Sequence, residues 1–246
     1  MLSKKKDYLF SLLGKDGLIP TLNGYGYMLE KPDFLSKQFI EFSSENSPVL
    51  DIGCAYGNVA IQCLKKGGTV YAVDLLEEHI FLLRSLAPVN LLKNLFTFAG
   101  RFPDIPSIGP NFFSGILASG VLHYFQPDDL LPAFKRVFDL LKPGGKFFFM
   151  TSTPYIKLFE SFYPEYLKRL EKGDPYPGYI IDPGQYAPER RENLPETLIL
   201  MNKDNVRFLL KESGFKIEFL EFVKMPDCPE YFQNEGKEYI GAIGVK

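Results

Sequence analysis

The sequence predicts an α/β fold with a doubly wound, mostly parallel sheet of about seven strands and an antiparallel strand near its C-terminal end. Three observations predict it. From Pro48 onward, short apolar runs alternate with amphipathic helical stretches. The apolar runs are continuous, as in strands that are covered on both faces. At the end of the chain, one helical stretch precedes two apolar runs with no helix between them.

Glycine and proline mark where the predicted elements of the core end. One helix stops at Gly67 and Gly68, and the next stops at Pro88. Because a crossover helix joins parallel neighbours, this order predicts βαβ units. The predicted strands of the core cover residues 49–52, 69–73, 94–99, 115–119 and 146–151, and its helices cover residues 58–65, 77–86 and 128–141.

We predict a single domain, 1–246, with four parts. A helical cap with a Gly/Tyr-rich loop comes first, then the cofactor-binding core, and a helix with a strand pair comes last. Before that last part lies an insertion with one helix and a long irregular stretch. A long irregular stretch within a compact domain is typical of a lid. The cap covers 1–45, the core 46–152, the insertion 153–201 and the last part 202–246. Outside the core, helices are predicted at 4–13, 32–42, 156–172 and 203–212, and strands at 215–223 and 238–245.

Composition and charge narrow the function classes. The 246 residues carry a formal net charge of -2, whereas a nucleic-acid binder usually shows a basic face, so nucleic acid is disfavoured as a partner. No apolar run approaches the ~20 residues that cross a bilayer. Cys54, Cys63 and Cys228 form no CxxC pair. We therefore expect a cytoplasmic protein without a disulfide framework, a metal site or a membrane contact.

The segment Leu50-Asp51-Ile52-Gly53-Cys54-Ala55-Tyr56-Gly57 joins a strand to a helix through a glycine turn. Such a turn places free backbone N–H groups and a helix N-terminus over a ligand. Gly53 has no Cβ, so a ligand can approach the backbone closely. Asp74 ends the next strand, where a carboxylate can accept ribose hydroxyls. The two features together predict a nucleoside site.

Four segments in this order make the chain similar to the class I, Rossmann-like S-adenosylmethionine-dependent methyltransferases. They are the glycine turn, Val73-Asp74, Val121-Leu122-His123-Tyr124-Phe125, and Leu141-Lys142-Pro143-Gly144-Gly145-Lys146. The resemblance covers residues 45–152 and extends more loosely to the C-terminus. It implies S-adenosylmethionine as the cofactor, S-adenosylhomocysteine as the product and methyl transfer as the reaction.

The resemblance also implies roles for single residues. Asp51 and Gly53 would hold the amino acid end of the cofactor, and Asp74 its ribose. Leu75 would pack against the adenine, and Ser119 would face the methionine part through its backbone carbonyl. The expected cofactor-binding residues are Asp51, Gly53, Cys54, Ala55, Tyr56, Gly57, Asp74, Leu75, Arg101, Phe102, Ser119 and Tyr25.

Two positions depart from the family pattern. Ala55 replaces the middle glycine of the turn, which is a small change. Arg101 and Phe102 stand where the family often has an acid for the adenine amino group. A guanidinium only donates hydrogen bonds, so Arg101 cannot replace that acid. Phe102 is expected to stack on the adenine instead.

His123 is the candidate general base, because imidazole has a suitable pKa and the residue follows the fourth strand of the core. The same Leu-His dipeptide recurs in the family as a structural feature. His79, beside Glu78 in a crossover helix, is expected on the surface. Tyr25 lies in the loop that commonly gates the cofactor in this family.

The insertion carries two further candidate features. An apolar stripe at helical spacing indicates core contact, a homodimer interface or a lid over a hydrophobic molecule. Arg190 or Arg191 would pair with a carboxylate of a substrate, or lie in a solvated turn. The stripe consists of Phe159, Phe162, Tyr163, Tyr166 and Leu170.

The favoured function is methyl transfer to oxygen or nitrogen of a small molecule. Protein methylation stays open, because a peptide can lie across the same opening. A nicotinamide-dependent oxidoreductase is disfavoured, since Gly53, Ala55 and Gly57 do not make GxGxxG. A non-catalytic protein that binds S-adenosylmethionine is the remaining alternative.

Overall fold

The computed structural model describes residues 18–105 and 108–246, so the helix predicted at 4–13 lies outside the described residues. Strands and helices alternate through the core, as predicted. In chain order the strands and α-helices are β1 Leu18–Pro20, β2 Tyr27–Leu29, α1 Phe34–Ser43, β3 Val49–Ile52, α2 Asn58–Lys65, β4 Val70–Asp74, α3 Glu77–Leu86, β5 Leu95–Ala99, β6 Phe113–Ser119, α4 Pro127–Leu140, β7 Leu141–Ser152, α5 Tyr163–Glu171, β8 Tyr179–Ile181, β9 Thr197–Ile199, α6 Lys203–Glu212, β10 Lys216–Val223 and β11 Tyr239–Val245.

Seven strands form the central sheet, in the order β10-β11-β7-β6-β3-β4-β5. Strands β3 to β7 pair in parallel, and β11 lies antiparallel between β7 and β10. The predicted doubly wound fold with an antiparallel C-terminal strand is confirmed. The strand order reverses between β3 and β6. Ligands of open α/β sheets bind at such a reversal, beyond the carboxyl ends of the strands.

Helices cover both faces of the sheet, which is why its central strands are apolar throughout. Leu35 of α1 and Leu83 of α3 are fully buried on one face together with residues of α2. Phe134 of α4 and Leu209 of α6 are fully buried on the other. This packing holds the carboxyl ends of β3, β4 and β6 in fixed positions.

A third apolar core lies beyond the carboxyl edge of the sheet. It joins Leu18 of β1, Met150 of β7 and Val223 of β10 to buried residues of the insertion. The short hairpin of β1 and β2, which was not predicted, takes part in this core. The hairpin and the insertion therefore cover the edge at which a ligand is expected.

The insertion is more regular than predicted. The helix predicted at 156–172 is divided into a 3-10 turn, Lys157–Phe162, and α5. Pro164 in the first turn of α5 explains the division, because proline has no N–H for a helix that continues from the preceding turn. The stretch predicted as irregular contains the antiparallel pair β8 and β9. Within the described part of the chain, no helix is both long and apolar enough to cross a membrane.

Candidate functional site

The glycine turn between β3 and α2 holds three residues in the left-handed region, with φ of +71° at Gly53, +44° at Ala55 and +81° at Gly57. A Cβ added to Gly53 would lie 2.6 Å from Val121 Cγ2, and one added to Gly57 would overlap Leu83 Cδ1. Packing therefore requires both glycines, in addition to their backbone angles. At Gly53 the Val121 side chain fills the place of a Cβ, and the close approach of a ligand to this backbone stays a prediction.

Asp74, at the end of β4, accepts three hydrogen bonds. The Ala55 N–H donates to Oδ2 at 2.8 Å, and the Leu76 N–H donates to Oδ1 at 3.1 Å. His79 Nδ1 lies 2.8 Å from Oδ1. Burial raises the pKa of Asp74, but the bonds from His79, Leu76 and Ala55 outweigh burial and hold that pKa below its ordinary value. The carboxylate is therefore ionised at neutral pH and fixed in orientation.

The expectation that His79 lies on the surface is wrong, since the residue is only 1% exposed. Helix α3 begins just after β4, so its first turn faces Asp74. The Leu22 N–H of the hairpin loop donates to His79 Nε2 at 3.0 Å. The signal in the sequence was helical periodicity, because His79 shares the buried face of α3 with Ile80 and Leu83.

Three carboxylates gather around the carboxyl end of β3. Asp51 is buried within the strand, and burial together with the negative charges of Asp74 and Asp33 raises its pKa to about 7. Asp33 is the N-cap of α1 and is also buried. Mutual repulsion of this kind favours a positively charged ligand, because a cation relieves the repulsion.

Sequence reasoning missed Asp33. Its Oδ1 caps α1 by accepting from the Leu35 and Ser36 N–H groups, while its Oδ2 accepts from Ser119 Oγ at 2.8 Å. The capping role is visible in the sequence, since an acid stands directly before an apolar helix. The contact with Ser119 depends on how α1 packs against β6, which no local pattern shows.

Residues expected at the adenine lie in different environments. Leu75 is largely exposed beside Asp74, so a base can pack on it. Phe102 is buried in the core on the α4 face of the sheet. Arg101 pairs with Asp129 at 2.6 Å and lies 5.5 Å from the centre of the Phe125 ring. The adenine contacts of these residues stay predictions.

His123 lies in a 3-10 turn beyond β6, with its ring 4.2 Å from that of Tyr124. Burial lowers the pKa of His123 to about 4. Its Nδ1 is buried without a hydrogen-bond partner among the described residues. A neutral imidazole of this kind can accept a hydrogen bond, but its low pKa makes it a weak general base. The catalytic role of His123 stays a prediction.

The β1–β2 hairpin is fastened to the glycine turn. Tyr56 Oη donates to the Pro20 carbonyl at 2.7 Å, and Asn58 Nδ2 donates to the Leu29 carbonyl at 2.9 Å. Tyr25 is nearly half exposed at the tip of the loop. Cys54 is buried as a thiol beneath the turn. The structure thus brings the hairpin to the site, but it leaves the Tyr25 ring in solvent.

The apolar stripe of the insertion is mainly core contact. Phe159, Phe162 and Tyr166 are buried in the third core, whereas Leu170 is exposed. Arg190 lies between two rings, 5.1 Å from the centre of Tyr27 and 4.9 Å from that of Tyr231. Arg191 forms an exposed ion pair with Asp182. Within the described residues, no group of three His, Cys, Asp or Glu side chains could hold a metal ion.

The glycine turn, the acid that ends β4 and the strand order agree with the resemblance seen in the sequence, and a family model matches the same part of the chain. Residues 49–145 match the model of a methyltransferase domain. The chain carries a methyltransferase domain in this segment. The resemblance seen in the sequence is therefore confirmed, and S-adenosylmethionine is the cofactor of that family.

Relatives of the domain have diverse descriptions. An uncharacterized methyltransferase of Staphylococcus carnosus is 33% identical over 42% of the chain and 46% of its own length. An S-adenosyl-L-methionine-dependent Diels-Alderase of Neonectria sp. is 27% identical over 70% of the chain and 60% of its own length. The chain thus spans about half the length of these two curated relatives.

The methyltransferase domain also has solved structural neighbours. One is the Burkholderia thailandensis 1,6-didemethyltoxoflavin-N1-methyltransferase with bound 1,6-didemethyltoxoflavin and S-adenosylhomocysteine. It superimposes with a TM-score of 0.58 and 17% identity, and the match covers 87% of the chain and 79% of the neighbour. A likeness at this identity shows a shared fold.

Proposed function

We propose that the protein is an S-adenosylmethionine-dependent methyltransferase that acts on oxygen or nitrogen of a small molecule in the cytoplasm. The observation that carries the proposal is the acid cluster of Asp33, Asp51 and Asp74 beside the glycine turn of a methyltransferase domain.

The three carboxylates of the site suit this cofactor. Asp74 would accept from the ribose, since it is held in place and ionised. Asp51 and Asp33 would hold the ammonium group, since burial and, after it, the negative charges of Asp74 and Asp33 raise the pKa of Asp51, and a cation would relieve that repulsion. When bound, the cofactor supplies a methyl group on a positively charged sulfur. The same acids would repel the pyrophosphate of a nicotinamide dinucleotide, which argues against the oxidoreductase alternative.

The chain's own residues would then orient the acceptor and exclude water, which contribute much of the acceleration in such a displacement. The hairpin and the insertion supply the cover, because they share an apolar core beyond the carboxyl edge of the sheet. For His123 Nδ1 to accept a hydrogen bond from the substrate, substrate binding must first expose this buried atom.

Two observations favour a small acceptor. The covered edge leaves less room for a folded protein than an open edge would. The Burkholderia thailandensis neighbour is a methyltransferase with a small molecule bound. A protein or peptide acceptor would need the insertion to move away.

Calorimetric titration tests the cofactor. S-adenosylmethionine and S-adenosylhomocysteine are each titrated into the protein, with NAD as the comparison ligand. We expect both sulfur compounds to bind and NAD not to bind. Asp74→Asn should weaken binding at least tenfold, because a carboxylate–hydroxyl bond is lost. Glu78→Gln, an exposed change on α3, should leave binding unchanged.

The reaction is tested by formation of S-adenosylhomocysteine over a panel of phenols, carboxylic acids, amines and peptides. Turnover of a small molecule supports the proposal. Turnover of peptides alone would replace it with protein methylation. Cofactor binding without turnover of any acceptor would favour a role other than methyl transfer. NAD binding in preference to the sulfur compounds would overturn the assignment.

A further inference from the structure

His79 uses both nitrogens of its buried ring, and each nitrogen contacts a different part of the molecule. Nδ1 lies 2.8 Å from Asp74 Oδ1. Nε2 accepts from the Leu22 N–H at 3.0 Å. Leu22 belongs to the loop of the hairpin, residues 18–29, and is separated from His79 by 57 positions in the chain. One imidazole therefore bridges the hairpin and the acid of the nucleoside site.

We propose that His79 is a positioning residue that couples docking of the hairpin to binding of the ribose by Asp74. The inference rests on the proposed function, since it takes Asp74 to bind the ribose of the cofactor. It adds that a segment beyond the cofactor-binding core sets the affinity for the cofactor through one side chain.

Proton placement makes the two contacts depend on each other. A backbone N–H can only donate, so Nε2 must be the acceptor and the ring proton must lie on Nδ1. From Nδ1 it donates to the ionised Asp74. Docking of the hairpin thus selects the tautomer that Asp74 requires. If Leu22 moves away, the buried Nε2 loses its partner, which costs free energy.

The same arrangement leaves one defined place for the ligand. A carboxylate offers about four acceptor positions, two on each oxygen. His79 and Leu76 fill both positions on Oδ1, and Ala55 fills one on Oδ2. The position that remains is on Oδ2. Without the His79 donor the carboxylate can rotate, so a ribose hydroxyl would meet a less ordered acceptor.

The docked hairpin has a second attachment at the same place. Tyr56 Oη donates to the Pro20 carbonyl, two residues before Leu22. The Tyr56 and His79 rings contact each other edge to face, with centres 5.1 Å apart. The glycine turn and α3 therefore hold the same short segment. By linkage, a cofactor that favours the ordered Asp74 must also favour the docked hairpin.

The test removes each contact separately and measures the affinity for S-adenosylhomocysteine by calorimetry. Leu22→Pro removes the N–H donor together with the leucine side chain. The change lies at the second position of a turn closed by the Gly24 N–H and the Thr21 carbonyl, where proline is well accepted. Leu22→Ala is the matched control, because it shortens the side chain and keeps the donor. We expect Leu22→Pro to weaken binding roughly fivefold to tenfold relative to Leu22→Ala.

Two histidine variants separate the two nitrogens. The short amide in His79→Asn takes the place of Nδ1 and can donate to Asp74, but it does not reach Leu22. The longer amide in His79→Gln can accept from the Leu22 N–H, but it no longer donates to Asp74. Both should weaken binding, because each breaks the bridge. Adding Leu22→Pro to His79→Asn should cost nothing further, since that bond is already absent, and this non-additivity identifies His79 as the route.

Amide hydrogen exchange supplies a readout that a purely structural role would not move. In the wild type, S-adenosylhomocysteine should slow exchange in residues 18–29. In His79→Asn the slowing should be lost even when the ligand saturates the protein. The inference is overturned if Leu22→Pro binds like Leu22→Ala, or if the ligand leaves hairpin exchange unchanged. Either result is compatible with the proposed function, whereas a wild type that does not bind the ligand overturns both.

Discussion

Asp51 and Asp74 lie on neighbouring strands at the same edge of the sheet, and their pKa values move in opposite directions. Asp74 is buried at the end of β4, but three hydrogen-bond donors outweigh burial and hold its pKa below the ordinary value. Asp51 is fully buried, and among the described residues only the backbone of Ala60 lowers its pKa. Burial and the charge of Asp74 therefore raise the pKa of Asp51 to about 7. Asp74 is therefore ionised throughout the neutral range, whereas Asp51 changes between its neutral and ionised forms within that range.

This difference predicts a pH dependence of cofactor affinity. The ionised form of Asp51 attracts the cofactor ammonium, and its fraction rises from about one tenth at pH 6 to about three quarters at pH 7.5. Affinity for S-adenosylmethionine should therefore rise up to roughly eightfold over that range. Calorimetry at the two pH values measures it. Asp51→Asn should bind weakly at both, and Glu78→Gln should follow the wild type. A wild-type affinity that falls with rising pH would contradict the assignment of Asp51.

The environment of His123 predicts a histidine that does not titrate near neutrality. Its pKa of about 4 reflects burial alone. The sequence contains two histidines, so NMR can follow the ring of His123 once His79→Asn has assigned the other. We expect no change in its chemical shift between pH 5.5 and 8. A midpoint near 6.5 would instead mean that the ring is solvated, and it would restore His123 as a candidate general base.

At the scale of the element, the sequence predicts what local patterns determine. The apolar runs and glycine or proline stops located the five parallel strands and the helices between them to within two residues, except that β7 begins at Leu141, five residues before its predicted start. The β1–β2 hairpin was missed, because its strands have three residues each and gain stability from packing against Tyr56 and the third core. The bridge through His79 was missed for a related reason. Contacts between segments far apart in the chain leave no local pattern.

The two glycines that flank α2 should differ in how much stability the protein loses when each is replaced by alanine. Gly57 and Gly67 flank α2, and both have positive φ, at +81° and +94°. A Cβ at Gly67 would meet nothing within 4 Å, whereas one at Gly57 would overlap Leu83. Gly67→Ala should thus cost only backbone strain, about 1 kcal/mol. Gly57→Ala should cost about 3 kcal/mol, because overpacking adds to the strain. Urea unfolding measures both, and equal costs would show that Leu83 moves aside freely.

At the scale of the whole molecule, the sheet supplies a rigid edge, and three segments of different origin cover it. The hairpin, the insertion and the loop between β10 and β11 all contribute to the third core. Arg190 of the insertion connects them directly, because it lies between Tyr27 of the hairpin and Tyr231 of the loop and donates to Tyr231 Oη at 2.9 Å. A cover built in this way should move as one unit.

Because Arg190 connects the hairpin, the insertion and the β10–β11 loop, we expect its substitution to loosen all three segments together. Arg190→Gln removes two cation–π contacts and a hydrogen bond, which together contribute about 1–2 kcal/mol in a partly buried setting. Amide exchange should accelerate in the hairpin, in residues 182–200 and in residues 224–238 together, while the strands of the core stay protected. Arg191→Gln is the matched control, since its ion pair with Asp182 is exposed and such pairs stabilise little. Faster exchange in the insertion alone would mean that the three segments open independently, and cofactor entry would then need only the hairpin to move.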